Sequence, residues 1–244
     1  MSVKYKFKTN PYDHQKTALE KAWGKPEYGY FMEMGTGKSK VLIDELGMLF
    51  LKGYVNFALI IAPKGVYRNW VAKEIPEHMS EQIPHRVIRW VSSPNKTQEE
   101  ELRSVKDPFS GLTIFVMNVE SFSTVKGTKA GNWLAKAFGK YGLIAIDEST
   151  TIKNHKAKRS KNLVKISSKF TIKRILTGSP VTKSPLDIYQ QCEFLKPGLL
   201  GHESYYGFQG KYAVINRRSM GAHSFQQVVG YRNLESLTFI LTVY

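Results

Sequence analysis

The sequence predicts an α/β protein with a mainly parallel, doubly wound sheet covered by helices on both faces, a three-layer sandwich. Short β-rich apolar runs alternate with longer stretches of helical pattern along most of the chain. The runs Phe57-Ala-Leu-Ile-Ile and Leu143-Ile-Ala-Ile are continuously apolar, as expected of strands buried on both faces. The gaps between such runs hold enough chain for crossover helices, which parallel pairing requires.

Six strands follow from these patterns: Tyr28 to Met32, Ala58 to Ala62, Arg86 to Val91, Leu112 to Val116, Leu143 to Asp147 and Arg174 to Thr177. Helices fill most of the gaps. After Gly201 the pattern weakens into a Gly-, Tyr- and Ser-containing stretch, followed by two short segments, Phe225 to Tyr231 and Leu234 to Tyr244. The expected division is therefore a lobe over residues 1–200 and an appended extension over 201–244. The closing apolar run Leu237-Thr-Phe-Ile-Leu-Thr-Val-Tyr has no cap, which suggests a piece of a longer protein.

With 244 residues, 42% of them hydrophobic and 23% charged, the chain has the composition of a soluble globular domain. The longest purely apolar run, Phe57 to Ala62, is far too short to span a bilayer, and the start MSVKYKFKTN has no secretory apolar region. An intracellular protein with no membrane partner is expected, cytoplasmic or, in a eukaryote, nuclear. Cys192 is the only cysteine, so an internal disulfide and a cysteine-cluster zinc site are excluded. The six histidines show no metal-ligand spacing. A formal charge of +16 favours a polyanionic partner, nucleic acid first.

In a doubly wound sheet, ligands sit beyond the carboxyl ends of the strands. Two segments there carry chemistry. Met32-Glu-Met-Gly-Thr-Gly-Lys-Ser39 follows a strand and opens a helix, the context of a phosphate-binding loop rather than of an ordinary Gly-rich turn. Met34, Gly35, Thr36 and Gly37 would turn backbone amides toward phosphate, Lys38 would reach the β- and γ-phosphates, and Ser39 would place its hydroxyl on magnesium. Gly142-Leu-Ile-Ala-Ile-Asp-Glu-Ser-Thr150 puts two carboxylates straight after a buried strand, where they call for a cation. Asp147 would complete the metal shell, and Glu148 would orient and deprotonate an attacking water. The alternative for this pair is a surface turn with a helix-capping carboxylate.

Together these segments resemble superfamily two helicases, most closely their Swi/Snf-like branch of duplex-DNA translocases, over nearly the whole chain. The family's first motif lacks the early glycine, which accounts for Met32 in Glu33-Met-Gly-Thr-Gly-Lys-Ser39. The resemblance implies a RecA-like P-loop fold, ATP and Mg2+ as cofactors, DNA as partner, and a second RecA-like lobe. In family order, Pro11-Tyr-Asp-His-Gln15 resembles the adenine-reading element, with Gln15 bonding the base. Ala62-Pro-Lys-Gly-Val-Tyr-Arg-Asn-Trp70, ending in Glu74, resembles a motif along the nucleic-acid backbone, implying contacts by Lys64 and Arg68 and a packing role for Trp70. Val116-Met-Asn-Val-Glu-Ser121 stands where the next nucleic-acid-facing motif belongs but departs from its form. Leu176-Thr-Gly-Ser-Pro180 with Phe194-Leu-Lys-Pro197 resembles the motif that couples ATP state to movement, implying that role for Thr177, Gly178 and Ser179.

One departure bears on coupling. Asp-Glu-Ser-Thr replaces the common Asp-Glu-Ala-His, followed by Ile152-Lys-Asn154, so the histidine that links the two lobes in the family is absent and coupling is expected either to pass through Ser149 or Thr150 or to be weaker. Between Thr151 and Arg174 there is no acidic residue, while Lys153, Lys156, Lys158, Arg159, Lys161, Lys165, Lys169 and Lys173 crowd the stretch; it reads equally as a solvated face or as phosphate contacts. Nothing after Pro197 resembles a second lobe, and Arg217, Arg218 and Arg232 lack an arginine-finger setting. The expectation is a lobe that binds nucleotide and hydrolyses it slowly. Two rival readings remain at this point: a non-catalytic, nucleotide-switched nucleic-acid-binding module, and the motor lobe of a restriction-type enzyme.

Overall fold

The computed structural model describes residues 4–220 and 223–243, and for 217–220, 223–226 and 239–243 it describes the backbone alone. Residues 1–3 of the expected lobe, Tyr244 and the side chains of Arg217 and Arg218 thus lie outside the described residues.

In chain order the elements are α1 (Asp13–Ala22), β1 (Glu27–Phe31), α2 (Lys38–Leu51), β2 (Phe57–Ala62), α3 (Tyr67–Asn69), a π-helical turn (Trp70–Glu74), α4 (Ile75–His78) and β3 (His85–Arg89). Then come α5 (Lys96–Arg103), β4 (Leu112–Asn118), α6 (Val125–Phe138), β5 (Gly142–Asp147), α7 (Lys158–Ser167), β6 (Ile172–Thr177) and α8 (Ile188–Leu195). The chain continues with α9 (Tyr205–Tyr212), β7 (Ala213–Met220), β8 (His223–Tyr231) and α10 (Leu234–Val243).

Strands β1 to β6 form one sheet in the order β1-β6-β5-β2-β4-β3, every pair parallel. All six predicted strands are present, displaced at their ends by no more than two residues. Side chains along a strand alternate between faces, and β2 shows the consequence. Ala58, Ile60 and Ala62 join the core beneath α2, with Val41, Leu42, Leu46, Trp70 and Ile75. Phe57, Leu59 and Ile61 join the opposite core, with Leu134 of α6, Leu163 and Ile166 of α7 and Phe194 of α8. The sheet is therefore sandwiched between two helical layers, and its functional edge is the one where all six strands end.

One buried ion pair ties the first layer to the sheet. Arg174 of β6 makes a 2.6 Å contact with Glu45 of α2, and both are 1% exposed. The Arg174 guanidinium also donates to the carbonyls of Lys25, Pro26 and Lys173, and the Tyr30 hydroxyl donates to Glu45 at 2.9 Å. A pair so deeply buried stabilises only when its other polar atoms are bonded, as these are.

The segment after residue 200 folds into α9 and an antiparallel hairpin, β7 with β8, interrupted by an irregularity between Val214 and Ile215. Phe208, Tyr212 and Leu237 pack with Leu186, Ile188, Tyr189, Cys192 and Leu200 in a third, smaller core. Cys192 is a buried packing residue whose thiol is pushed up by burial.

Candidate functional site

The phosphate-loop segment occupies the turn between β1 and α2. Gly35 and Gly37 have φ values of +77° and +80°, a left-handed conformation that other residues adopt only with strain. Gly37 is also tightly approached: a Cβ built there would lie 2.3 Å from Nε2 of Gln15. Gly37 caps α2, whose first turn carries no acidic residue, so the positive end of its dipole faces the loop uncompensated.

Lys38 is buried, and its ammonium donates to the carbonyls of Met32 and Glu33 at 3.0 Å each, folded back across its own loop. Ser39 is half-buried in the first turn of α2. Thr36 closes the loop by donating its hydroxyl to Glu33 O at 2.7 Å, and Met34 is 84% exposed.

Gln15 is only 3% exposed, and both ends of its amide are engaged. Oε1 accepts from the Tyr12 backbone amide at 3.0 Å, and Nε2 donates to Thr36 O at 2.9 Å. His14 Nε2 lies 3.0 Å from the same carbonyl, and the exposed ring of Tyr12 stacks on His14 at 5.8 Å. The segment expected to read the base thus also braces the phosphate loop.

At the end of β5, Asp147 is buried while Glu148 adopts φ 50°, ψ 59°, a left-handed conformation uncommon outside glycine. Asp147 Oδ1 accepts from the Glu148 amide at 3.0 Å. Its Oδ2 accepts from the indole N–H of Trp70 at 2.9 Å. Trp70, fully buried in the π-helical turn, is therefore both the packing residue that was expected and a hydrogen-bond donor to the carboxylate. Burial raises the Asp147 pKa, the Trp70 hydrogen bond opposes that rise, Glu148 adds to it and Lys38 opposes it. Among the described residues Asp147 enters no ion pair.

Thr177, Gly178 and Ser179 follow β6 directly beside the phosphate loop: a Cβ at Gly178 would lie 3.3 Å from Met34 N and 3.4 Å from Met32 O. Thr177 Oγ1 accepts from the Ser179 amide at 3.2 Å. This turn is joined to the carboxylate segment by a residue that motif reading missed. Gln191 of α8, fully buried, accepts from the Ser149 hydroxyl at 2.6 Å and donates through Nε2 to Pro180 O at 2.7 Å and Asp187 O at 2.9 Å. Lys153 makes a second tie, to Asp187 at 3.2 Å.

Lys64 and Arg68 are exposed, on the loop after β2 and in α3. The Lys64 amide donates to the Glu120 carboxylate at 3.2 Å, so the departing segment Val116 to Ser121 supports the loop carrying Lys64. No group of three or more His, Cys, Asp or Glu side chains that could hold a metal occurs among the described residues. A divalent ion at Asp147 would have to share its shell with phosphate oxygens, the usual habit of magnesium. The Gly-rich turn, the free helix dipole and an unpaired buried carboxylate fit that combination.

Comparison with known proteins decides the family, because the SNF2-related domain model matches residues 24–230. The chain belongs to the SNF2-related domain family. It is 23% identical over 239 residues to CHROMATIN REMODELING 24 of Arabidopsis thaliana, covering 92% of this chain and 21% of that protein. It is 25% identical over 213 residues to the human DNA repair and recombination protein RAD54B, covering 84% and 21%. An uncharacterized ATP-dependent helicase of Mycoplasma pneumoniae is 28% identical over 172 residues, 70% of this chain and 15% of that one. The chain thus spans about a fifth of the length of the first curated relatives it matches. Among solved structures, the Sulfolobus solfataricus SWI2/SNF2 ATPase core in complex with dsDNA matches with a TM-score of 0.64 at 20% identity, over 87% of this chain and 41% of that one, which establishes the RecA-like fold. Among the described residues no helix is long and apolar enough to cross a membrane.

Proposed function

We propose that this SNF2-related chain is the nucleotide-binding first lobe of an ATP-driven translocase acting on duplex DNA. The observation that carries the reading is the buried Asp147 carboxylate, unpaired and aligned by Trp70, at a strand end where it feels the charge of Lys38 from the phosphate loop. Burying a carboxylate without a cation is costly, and a metal-bound triphosphate removes the cost.

In this reading Lys38 leaves the carbonyls of Met32 and Glu33 for the terminal phosphates, while the amides of Met34 to Gly37 and the α2 dipole face the phosphate chain. Gln15 keeps one amide hydrogen of Nε2 available for the base. Ser39 and Asp147 would hold Mg2+, which would supply positive charge against that developing on the transferred phosphoryl group. Glu148 holds and deprotonates the attacking water. Thr177, Gly178 and Ser179, beside the loop, relay nucleotide state through Gln191, while Lys64 and Arg68 lie along the DNA backbone, without sequence preference. The Sulfolobus SWI2/SNF2 core that shares this fold is a complex with dsDNA, which supports the choice of partner.

The same proposal keeps residues 1–200 as the lobe and 201–244 as the extension leading toward a second lobe. That lobe supplies the arginine, a contribution of about 10³–10⁵ in turnover in related phosphoryl transfers. The non-catalytic module is disfavoured by the presence of Lys38, Asp147 and Glu148 together.

The test is magnesium-ATP hydrolysis with and without duplex DNA, alongside fluorescent-ATP binding, for the wild type and Glu148→Gln. Nucleotide binding in both proteins, with slow turnover only in the wild type, is expected. Failure to bind ATP, or turnover that survives the substitution, overturns the reading.

A further inference from the structure

The strongest charge asymmetry in the molecule lies away from the phosphate loop. Residues 121–186 contain fourteen Lys and Arg and two carboxylates, Asp147 and Glu148, both within the site already described. The structure sorts these cations. Lys153, Lys173 and Arg174 are neutralised by Asp187, Glu27 and Glu45.

Eight of the other eleven lie on or just beyond two helices, with their side chains exposed. On α6 the buried positions are Gly127, Gly131, Leu134 and Ala135, while Lys126, Lys129 and Lys136 are exposed, with Lys140 just beyond the helix. Spacings of three, seven and four put these four on one helical stripe, interrupted by the exposed Trp133. On α7 the buried positions are Ser160, Leu163, Ile166 and Ser167, and the exposed ones include Lys158, Lys161 and Lys165, with Lys169 following. These too fall at spacings of three and four.

The two stripes lie side by side. A Cβ at Gly131 would come within 3.1 Å of Ile166 of α7 and 2.6 Å of Phe122, so glycine lets the helices approach closely. Lys169 donates to Asn132 of α6 at 3.2 Å, and Asn162 donates to Thr128 at 3.1 Å. Both helices cover the sheet face opposite α2, which makes their outer surface a face distinct from the strand-end edge carrying Lys64 and Arg68. None of these exposed lysines is in an ion pair among the described residues. The α6 stripe alone runs for roughly 20 Å at 1.5 Å per residue. Duplex DNA presents one phosphate per ~1.7 Å of axis, so such a face can neutralise several at once.

We infer that the outer face of α6 and α7 is a second DNA-binding surface, which grips the phosphate backbone of duplex outside the translocation track. It rests on the proposed reading only in taking DNA as the partner. The lysines present no fixed fork for base edges, so binding is electrostatic and sequence-independent. A tethering surface of this kind would hold duplex through the steps in which the lobes release their track.

The test is fluorescence anisotropy of a labelled 30-base-pair duplex with the nucleotide-free chain, titrated over a series of salt concentrations. Three proteins are compared with the wild type: the five-site variant K129Q/K136Q/K158Q/K161Q/K165Q, its Lys→Arg counterpart, and K64Q/R68Q. Each neutralised phosphate contributes about 0.9 to the slope of log affinity against log salt. The five-site Gln variant should lose about three units of slope or more, the Arg counterpart should keep them, and fluorescent-ATP affinity should be unchanged in both. An unchanged slope in the Gln variant overturns the inference, and if K64Q/R68Q then weakens binding, the track assignment survives alone. A lowered slope in the Gln variant with none in K64Q/R68Q upholds the inference and removes the track assignment. Displacement of the duplex by polyglutamate at equal charge concentration would mark an unselective acidic-polymer surface and also overturn it.

Discussion

Trp70→Phe isolates the hydrogen bond that aligns Asp147. The substitution keeps a buried aromatic ring in the core beneath α2 and removes the indole N–H that lies 2.9 Å from Oδ2. A hydrogen bond to a charged group contributes about 1.5–3 kcal/mol, and each 1.4 kcal/mol is roughly tenfold in an equilibrium constant. Partners that orient a metal-binding carboxylate typically change metal affinity by about 10–100-fold when removed. The magnesium-dependent part of ATP affinity should therefore fall by about one to two orders of magnitude, while ATP binding in the presence of a chelator, carried by the phosphate loop, stays unchanged. The pH dependence supplies a second signature. Burial already pushes Asp147 upward and the Trp70 bond restrains it, so its loss moves the carboxyl higher still. Because the metal needs the carboxylate, the magnesium-dependent increment is present above that pKa and disappears as pH falls through it. In Trp70→Phe it should disappear at a higher pH than in the wild type. Titrations of a fluorescent ATP analogue with and without magnesium, across a pH series and with thermal melts as a folding control, measure both effects. Wild-type magnesium dependence at every pH in a folded Trp70→Phe protein would refute the reasoning.

Asp147→Asn keeps an oxygen for the Trp70 donor, turns its NH2 against the Glu148 amide at a cost that does not vary with pH, and removes a charge that the folded state disfavours. The folded pKa is raised, so the wild type loses stability as pH rises from the ordinary carboxylate range through the folded value. The melting temperature of the ligand-free variant relative to the wild type should therefore rise from acid to neutral pH, which calorimetry at two pH values can show. Gln191→Leu preserves bulk but unties Ser149 from Pro180, leaving buried polar groups unsatisfied at about 1–3 kcal/mol each. A lower melting temperature with unchanged ATP affinity is expected. Hydrogen exchange at residues 177–183 should respond less to nucleotide in this variant than in the wild type, and an undiminished response would count against Gln191 as the relay.

What was legible in the chain follows from the range of each interaction. The strands were readable because burial on both faces leaves continuous apolar runs such as Leu143-Ile-Ala-Ile, a local signal. The phosphate loop was readable because its conformation needs glycines at fixed spacing, and Gly35 and Gly37 both take positive φ. The Trp70 bond was not, since the indole meets Asp147 across 77 positions and any buried Trp in a helix reads first as packing. Gln191 was hidden for a similar reason: in Tyr189-Gln-Gln-Cys192 nothing distinguishes a glutamine buried between two loops from its solvent-facing equivalents. The hairpin of β7 and β8 escaped because the polar run Asn216-Arg-Arg-Ser219 carries no strand alternation, and α9 because Gly207 and Gly210 break the helical pattern around the buried Phe208 and Tyr212.

The lysines after Thr151 show why a charge run alone decides so little. In sequence, Lys153, Lys161 and Lys173 are equivalent members of one unopposed basic stretch. In the fold they have three different fates. Lys173 stands near the start of a buried strand against Glu27, and Lys153 is drawn to Asp187 beside the carboxylate segment. Lys161, on the outer face of α7, faces no acid among the described ion pairs. The carboxylates that neutralise the first two come from β1 and from the turn before α8, distant in sequence and brought close only by the fold. Once those pairs are made, the nearby acids are committed to structure, and the remaining charge is concentrated on two adjacent helices. A surface without compensating acids, built from helices whose buried faces are small and apolar, gains nothing for folding from its lysines, since isolated like charges at spacings of three and four repel. Their cost to the helices is offset only when an external polyanion arrives.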